Sequence, residues 1–292
     1  MRDPEPLAEM RQDIQELARA AALEAGALAM RWFQPGSRTT ARVWTKAKSS
    51  PVTQADVEVD DFLRHRLTGI DAQFGWLSEE TVDSPERLER RFIFVVDPID
   101  GTRAFLEGDP RWCVSIALVD NGLPVAAVVH APALGMMHEA VRGGPALLNG
   151  QSIHVSQKSS LAGARIAGPR FLLDALTSAN AEIVPVTKIP SLAHRFCKLA
   201  DGSLDAALAS ANAKDWDIAA AHLIVECAGG RLTDLEGVAP LYNQVCTSHG
   251  RLLAAPAEGF ACMLAEVRRA IGLPERGLTA TQARVTSRES AS

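Results

Sequence analysis

Residues 92–102 read FIFVVDPIDGT: an apolar run ends in two aspartates, Asp97 and Asp100, with Gly101-Thr102 behind them. Asp, Pro and Gly all favour turns, so a plain surface turn is one reading. Metal binding is the chemistry these residues could do. Mg²⁺ takes oxygen ligands in near-octahedral geometry and keeps several waters, and carboxylates from separate strand ends supply such oxygens without filling the sphere. A second acidic pair, Glu79-Glu80, closes the segment QFGWLSEE. Pro98 stiffens the turn and removes one competing N–H. The Ile99 carbonyl is also left free to point at a cation. Gly101-Thr102 opens the segment TRAFLEG, short enough for one or two helical turns, and the leading amides of a helix suit a phosphate. So many acids close together are costly unless a cation relieves their repulsion. The combination points to metal-assisted phosphate chemistry.

One rival chemistry does not fit. Haloacid-dehalogenase phosphatases carry Asp-x-Asp-Gly-Thr at a strand end, with the first Asp as covalent nucleophile. Here the residue two before Asp100 is Pro98, which cannot attack. Water activated by a metal is the better nucleophile.

The elements that must position these groups are legible by periodicity. Leu7, Met10, Ile14, Leu17, Ala21, Leu28 and Trp32 recur at helical spacing, which predicts a helix over residues 6–33 that QPGS stops. A basic loop, TKAKSSPVTQAD, follows. Thr53 with Asp56 three residues on resembles a capping box for a second helix to about Leu67, although Glu or Gln is the usual partner. QFGWLSEE reads as a short strand. RFIFVVD is apolar at nearly every position, which suits burial on both faces. Residues 112–119, 124–130 and 136–140 read as further strands. Beyond LNGQSIHVSQKSS, strands near 164–168, 182–185, 204–208 and 251–255 alternate with helices near 171–178, 191–201, 216–228 and 257–270. This predicts an N-terminal α/β lobe over 1–155 that carries most metal ligands. A C-terminal α/β lobe over 156–272 follows, and 273–292 is a disordered tail without apolar periodicity.

Composition excludes several function classes. The chain has 292 residues, 47% hydrophobic and 22% charged, with a formal net charge of −5. No global basic field argues for nucleic acid. The N-terminus carries acids early and lacks an uninterrupted apolar core, so no signal peptide is expected. No window approaches the roughly 18 apolar residues of a membrane span. Cys113, Cys197, Cys227, Cys246 and Cys262 form no C-x-x-C pair and read as reduced, mostly buried thiols of a cytoplasmic protein. A homodimer is one assembly the sequence leaves open.

These residues resemble the inositol monophosphatase superfamily. DPIDGT resembles its best-known signature, WDIAAAHLIVECAGGRLTDLEG resembles a second, and KAKSSPVTQAD and LSEET resemble two more, all in family order across roughly residues 10–270. The resemblance implies an α/β (α+β) fold, a layered α/β/α/β/α sandwich. It implies lithium-sensitive hydrolysis of a small phosphorylated substrate, a phosphate monoester, with two or three Mg²⁺ ions. Carried over by position, Glu79, Asp97, the Ile99 carbonyl, Asp100 and Asp217 look like metal ligands, so the resemblance also implies that the C-terminal lobe over 156–272, through Asp217, completes the site. Asp56 and Thr102 resemble the catalytic pair that orients and deprotonates water. Glu79, Ile99, Asp100, Gly101, Thr102 and Asp217 would meet the substrate, Gly101 and Thr102 through their amides. Glu80 looks like a neighbour of the site and Trp216 like a packing anchor. Lys46 and Lys48 flank SSPVT; one could neutralise the acids when metals are absent, or both simply solvate the loop.

The substrate is the less legible part. Inositol phosphatases carry a Glu several residues before the Trp-Asp, whereas Ser210, Ala211, Asn212 and Ala213 supply no acid, and Asp215 stands too close to Asp217 to replace it. Lys214, His194, Arg195 and Lys198, with Arg170 more distant, are candidates for a second phosphate, although exposed cations commonly just solvate a face. The texture of KDWDIAA and SIALVDNGLPVAAVVHAPAL is similar to the CysQ-type 3′(2′),5′-bisphosphate nucleotidases. The expectation is therefore hydrolysis of adenosine 3′,5′-bisphosphate to AMP. The alternatives are inositol-1-phosphate or sugar phosphate hydrolysis, and a non-catalytic regulatory or binding protein on the same fold.

Overall fold

The computed structural model describes residues 4–45, 51–71, 73–179 and 182–274. In chain order the elements are α1 (Pro4–Met30), β1 (Val43–Thr45), β2 (Pro51–Thr53), α2 (Gln54–Thr68), β3 (Gly75–Ser78) and β4 (Phe92–Asp100). Then come α3 (Thr102–Glu107), β5 (Cys113–Asp120), β6 (Leu123–Ala131), β7 (Met136–Val141), β8 (Ala146–Leu148) and β9 (Gln151–Ser152). The second half holds β10 (Arg165–Ala167), α4 (Arg170–Ser178), β11 (Val184–Pro185), α5 (Leu192–Ala200) and β12 (Ala206–Ala209). It ends with α6 (Asp215–Cys227), β13 (Gly230–Asp234), β14 (Leu252–Pro256) and α7 (Phe260–Ala270).

β4 explains the layering. All nine of its residues are buried, because each face meets a different core. Phe94 and Val96 pack into a cluster with α1 and α2, including Ala22, Ala25, Val59 and Leu63. Ile93 and Val95 point the other way, into a cluster with α5 and α6, including Phe196, Ile218 and Ile224. A strand sandwiched between helices has no reason to alternate polar and apolar residues. β4 sits second in a seven-stranded sheet ordered β3-β4-β5-β6-β7-β8-β9, in which β3 and β4 are parallel and the other neighbours antiparallel.

The second sheet has five strands in the order β11-β10-β12-β14-β13. Its Ala207, Leu252 and Ala254 face the α5–α6 layer, while Ile166, Leu208 and Leu253 join α4 and α7 on the far side. The result is the α/β/α/β/α sandwich. The first sheet ends at Ser152 and the second begins at Arg165, yet α5 and α6 of the second half pack on the strands of the first.

Local departures from the sequence expectations have simple causes. α1 stops at Met30 rather than near 33, because the backbone turns over Arg31 and Trp32 before QPGS. The basic loop is flanked by a small antiparallel pair, β1–β2; Lys46 and Lys48 lie outside the described residues, as do 275–292 of the expected tail. Cys113 and Cys197 are buried, but Cys246 and Cys262 are exposed, so the thiols are not mostly buried. No helix among the described residues is long and apolar enough to cross a membrane.

One ion pair ties the second sheet together. Asp205, buried just ahead of β12, accepts from the Arg165 amide (2.8 Å) and from its Nε (3.0 Å) and Nη2 (2.9 Å). Burial works to raise the Asp205 pKa, but these hydrogen bonds outweigh it and bring it down to about 2. A carboxylate depressed in the folded state stabilises the fold above its unfolded pKa near 4 and loses that contribution as pH falls toward 2. Because Arg165 is half exposed, the contribution is discounted to about 1–2 kcal/mol. Urea unfolding of Asp205→Asn should show that deficit at pH 7, shrinking to about 0.4 kcal/mol or less near pH 2.

Candidate active site

The acids meet because the strand register brings them together. β3 runs parallel to β4 with Ser78 beside Val96, so Glu79, just past the end of β3, comes beside Asp97 of β4, the Glu79 amide still reaching Val96 O (3.4 Å). Asp97 Oδ1 accepts from the Ile99 amide (3.0 Å), closing the Asp-Pro-Ile turn, and the β4–β5 register shifts between Asp97 and Asp100. Asp217 sits in the first turn of α6, where its Oδ2 accepts from the Lys214 amide (2.7 Å). Ser115, paired with Asp97 across the sheet, donates to Trp216 O (3.3 Å) and pins that turn to the first sheet. Trp216 is partly buried against the α5–α6 core, as a packing anchor would be.

Carboxylate oxygens of Glu79, Asp97 and Asp217 lie within 4.8 Å of one another. Asp100 stands beside this group, with Oδ2 already gripped by the Ser191 hydroxyl (2.6 Å) and the Ala193 amide (2.7 Å) of α5. The Ile99 carbonyl lies 3.2 Å from the Thr102 hydroxyl, as one of two acceptors within reach of its single proton. Ser191 was not foreseen. Its signal was available, since a Ser immediately before an apolar helix is an N-cap, and its hydroxyl also accepts from the His194 amide (2.9 Å).

The electrostatics are those of a site built for cations. Burial and then repulsion from Glu79, Asp100, Asp217 and Asp56 push Asp97 well above the usual carboxylate range. Loss of solvent around the carboxyl and repulsion from Asp100 do the same to Asp217. Asp100 is raised to about 6 by burial, against the opposing hydrogen bonds from Ser191 and Ala193. The cluster offers only oxygen donors, and oxygens on opposite sides of one Mg²⁺ would lie about 4 Å apart. The residues therefore fit a hard divalent cation.

Asp56 and Thr102 come together beside this cluster. The capping box of α2 is present: Asp56 Oδ2 accepts from the Thr53 amide (2.8 Å) and hydroxyl (2.6 Å). Its other oxygen accepts from the Thr102 hydroxyl (3.2 Å), 46 residues away. Burial raises Asp56 to about 6, with the Thr53 hydrogen bonds opposing and Glu79 assisting. One turn further on α2, Asp60 accepts from Ser78 and from the Thr81 hydroxyl (2.6 Å), so it holds the loop that carries Glu79. Glu80 stays a neighbour of the site, its amide reaching Ser78 Oγ at 3.4 Å.

Gly101 has φ +95, and a Cβ there would lie 3.3 Å from the Ser191 Cβ. Only glycine takes this left-handed turn without strain while letting α5 approach. α3 beyond it has six residues, so its individual amides, rather than a long helix dipole, would face an anion.

A cavity of about 920 Å³ opens beside Asp217, walled by Leu173, Val186 and Leu192 and by the cations Arg170 and Lys188. Three of the cations expected to face a second phosphate do other work. Lys198 pairs with Asp201 (2.6 Å) and is absent from the cavity walls. Lys214 donates its ammonium to Ser248. Burial pulls His194 down to about 4, so it is no cation near neutral pH. Arg195 does line the cavity, but it is buried and spends Nη1 and Nη2 on main-chain carbonyls. Lys188 was missed, because loop lysines carry no signal until the loop path is known. Asp215 is structural: it accepts from the Asn243 amide (2.8 Å) and pairs with His249 (2.7 Å).

Known proteins are similar to this chain in sequence and fold. A sequence profile of the inositol monophosphatase family matches residues 10–272. The histidinol-phosphatase of Mycobacterium tuberculosis is 35% identical over 210 residues, covering 68% of this chain and 79% of that relative. The 3′(2′),5′-bisphosphate nucleotidase CysQ of Aggregatibacter actinomycetemcomitans is 32% identical over 246 residues, covering 80% of this chain and 87% of its own. The solved structure of extragenic suppressor protein suhB from Bartonella henselae superposes with a TM-score of 0.76 at 27% identity, over 89% of this chain and 98% of that one. With the family's signatures spread over both sheets and its phosphatases aligned along most of their length, this chain belongs to the inositol monophosphatase family and is a phosphoric monoester hydrolase.

Proposed function

We propose that the chain is a Mg²⁺-dependent phosphatase whose preferred substrate is adenosine 3′,5′-bisphosphate, which it converts to AMP and phosphate. The phosphatase part rests on the convergence of Glu79, Asp97 and Asp217 beside the Asp56–Thr102 pair. Mg²⁺ held by these acids with Asp100 and the Ile99 carbonyl, in two or three ions, would supply charge neutralisation for the phosphoryl oxygens and the leaving alkoxide.

The remaining chemistry belongs to the side chains. Thr102 donates its proton toward Asp56 Oδ1, which leaves the Thr102 oxygen to accept one from water. A carboxylate near pKa 6 has the strength to take that proton at neutral pH. The amides of Gly101 and Thr102 would orient the phosphoryl group for in-line attack. Water adds to phosphorus, the P–O bond to the ribose breaks, and the leaving oxygen takes up a proton.

The substrate reading is carried by the cavity beside Asp217. Its apolar wall suits a purine face, and Lys188, with Arg170 on an exposed pairing to Asp174 (3.4 Å) that a phosphate could replace, favours an anionic second group. The absence of an acid across 210–213 removes the partner for inositol hydroxyls. Inositol-1-phosphate or a sugar phosphate remains the second reading, supported by the polar side chains of Ser210 and Asn212 at the cavity wall. A cytoplasmic setting is part of the proposal, supported by five free thiols, and so is inhibition by Li⁺.

The deciding experiment is kcat/KM for adenosine 3′,5′-bisphosphate, inositol-1-phosphate and histidinol phosphate with Mg²⁺ present. A charge-assisted contact to a second phosphate should give the bisphosphate about a 10- to 100-fold advantage. Preference for the inositol ester would overturn the substrate assignment. Tight binding without turnover of any ester would favour a non-catalytic role.

A further inference from the structure

Among the described residues, Arg195 is a buried cation at the site that the proposed chemistry does not use. It stands in the first turn of α5, is 8% exposed, and lines the cavity beside Asp217. Its Nη1 donates to Leu208 O (2.9 Å) and its Nη2 to Ile189 O (2.7 Å), while Nε is buried without a partner. Burial lowers its pKa, and Asp100 is the acid whose charge acts against that. Burying a guanidinium without an acid partner is costly, so this is not a cation that merely solvates a surface. The two carbonyls it holds say what it does.

Ile189 lies two residues before Ser191, whose hydroxyl grips Asp100 together with the Ala193 amide. Leu208 lies on β12, and the chain leaving that strand runs through 210–216 to Asp217. One guanidinium therefore bridges the segment that clamps Asp100 and the strand that leads to Asp217. Its rigid planar fork suits two carbonyls at fixed positions, which a lysine ammonium cannot match.

We propose that Arg195 is a positioning residue that locks the Asp100 clamp of α5 to the exit of β12, so that Asp100 and Asp217 keep the separation a shared cation requires. It acts through these backbone segments and does not contact the substrate. The activity arm of its test rests on the phosphatase reading above, whereas the metal-binding arm rests on the acid cluster alone.

The test compares the full-length wild type with Arg195→Met and Arg195→Lys. The readouts are the Mg²⁺ dissociation constant by calorimetry, and kcat and KM for adenosine 3′,5′-bisphosphate and for glycerol 2-phosphate, which has no second phosphate. Loss of an outer positioning group should weaken Mg²⁺ binding by about 10-fold in Arg195→Met and lower kcat on both esters by a similar factor, with both KM values held. Arg195→Lys, able to reach one carbonyl, should fall between. Unchanged Mg²⁺ affinity with a KM rise confined to the bisphosphate would overturn the proposal and make Arg195 a substrate contact. If Arg195→Met does not fold, unchanged Mg²⁺ affinity and kcat in Arg195→Lys overturn it equally. Should wild type hydrolyse neither ester, the phosphatase reading fails, and the Mg²⁺ titration still decides the role of Arg195.

Discussion

Asp97→Asn should lower phosphate release by about 10³-fold or more while making the metal-free protein more stable. The two effects share one cause. Asp97 is 1% exposed and faces the charges of Glu79, Asp100, Asp217 and Asp56. An amide of the same shape still accepts the Ile99 N–H, since that bond uses Oδ1. It removes the buried charge that the cluster repels, and with it a cation ligand. Asp97 is raised in the folded state, so the wild type is favoured below its unfolded pKa near 4 and loses that stability as pH rises toward the folded value. The stabilisation by Asn should therefore be absent near pH 4 and largest above neutrality, where each kcal/mol raises Tm by about 2–4 °C. Saturating Mg²⁺ should reverse the order, because a ligand that binds only the folded wild type stabilises it by mass action. Thermal melts with chelator and with Mg²⁺ check both signs. A destabilised metal-free Asp97→Asn would show that Asp97 is held by its neighbours rather than repelled by them.

Thr102→Ala should reduce kcat by about 10²- to 10³-fold, the range of general acid–base assistance, with Mg²⁺ affinity unchanged. Thr102 stands between Asp56 Oδ1 and the Ile99 carbonyl at 3.2 Å from each, and its hydroxyl is the only part the reaction needs. Thr102→Ser keeps that hydroxyl and should retain most of the activity. Asp56→Asn should cost a similar factor, and the double variant little more, because two groups that work as one relay are not additive. Asp56→Asn carries a further penalty of about 0.5–2 kcal/mol, since Asp56 also closes the capping box of α2. Initial rates under saturating Mg²⁺, set against metal affinity from calorimetry, separate a relay from a ligand. Additive losses would mean that Asp56 and Thr102 act separately.

The parts of this site that local chemistry dictates were legible in the sequence. β4 reads as doubly buried because all its residues are apolar up to Asp97, and the two cores on its faces account for that run. Asp97, Asp100 and Glu79 were legible as acids at strand ends and Thr53 with Asp56 as a capping box, whereas Asp217 was marked only by the resemblance of its Trp-Asp segment to a family signature. Groups that matter only through tertiary register were not. Asp60, Ser78 and Thr81 look like ordinary helix and loop polars until α2 lies against the end of β3. Arg195 sits between His194 and Phe196 on a helix whose buried face is wider than its apolar residues suggest, so nothing local marks it as interior. Lys198 and Arg195 are neighbours on that helix, yet one pairs with Asp201 and the other spans two carbonyls. The difference is set by what packs against each.

The account's central claim is that these acids hold a cation which the phosphatase requires. It is tested most directly by phosphate release from adenosine 3′,5′-bisphosphate, measured on chelator-treated protein while Mg²⁺ is added back. The account predicts no release without the cation and full recovery on its return in the wild type, with no recovery in Asp97→Asn. Hydrolysis that survives complete chelation would contradict it.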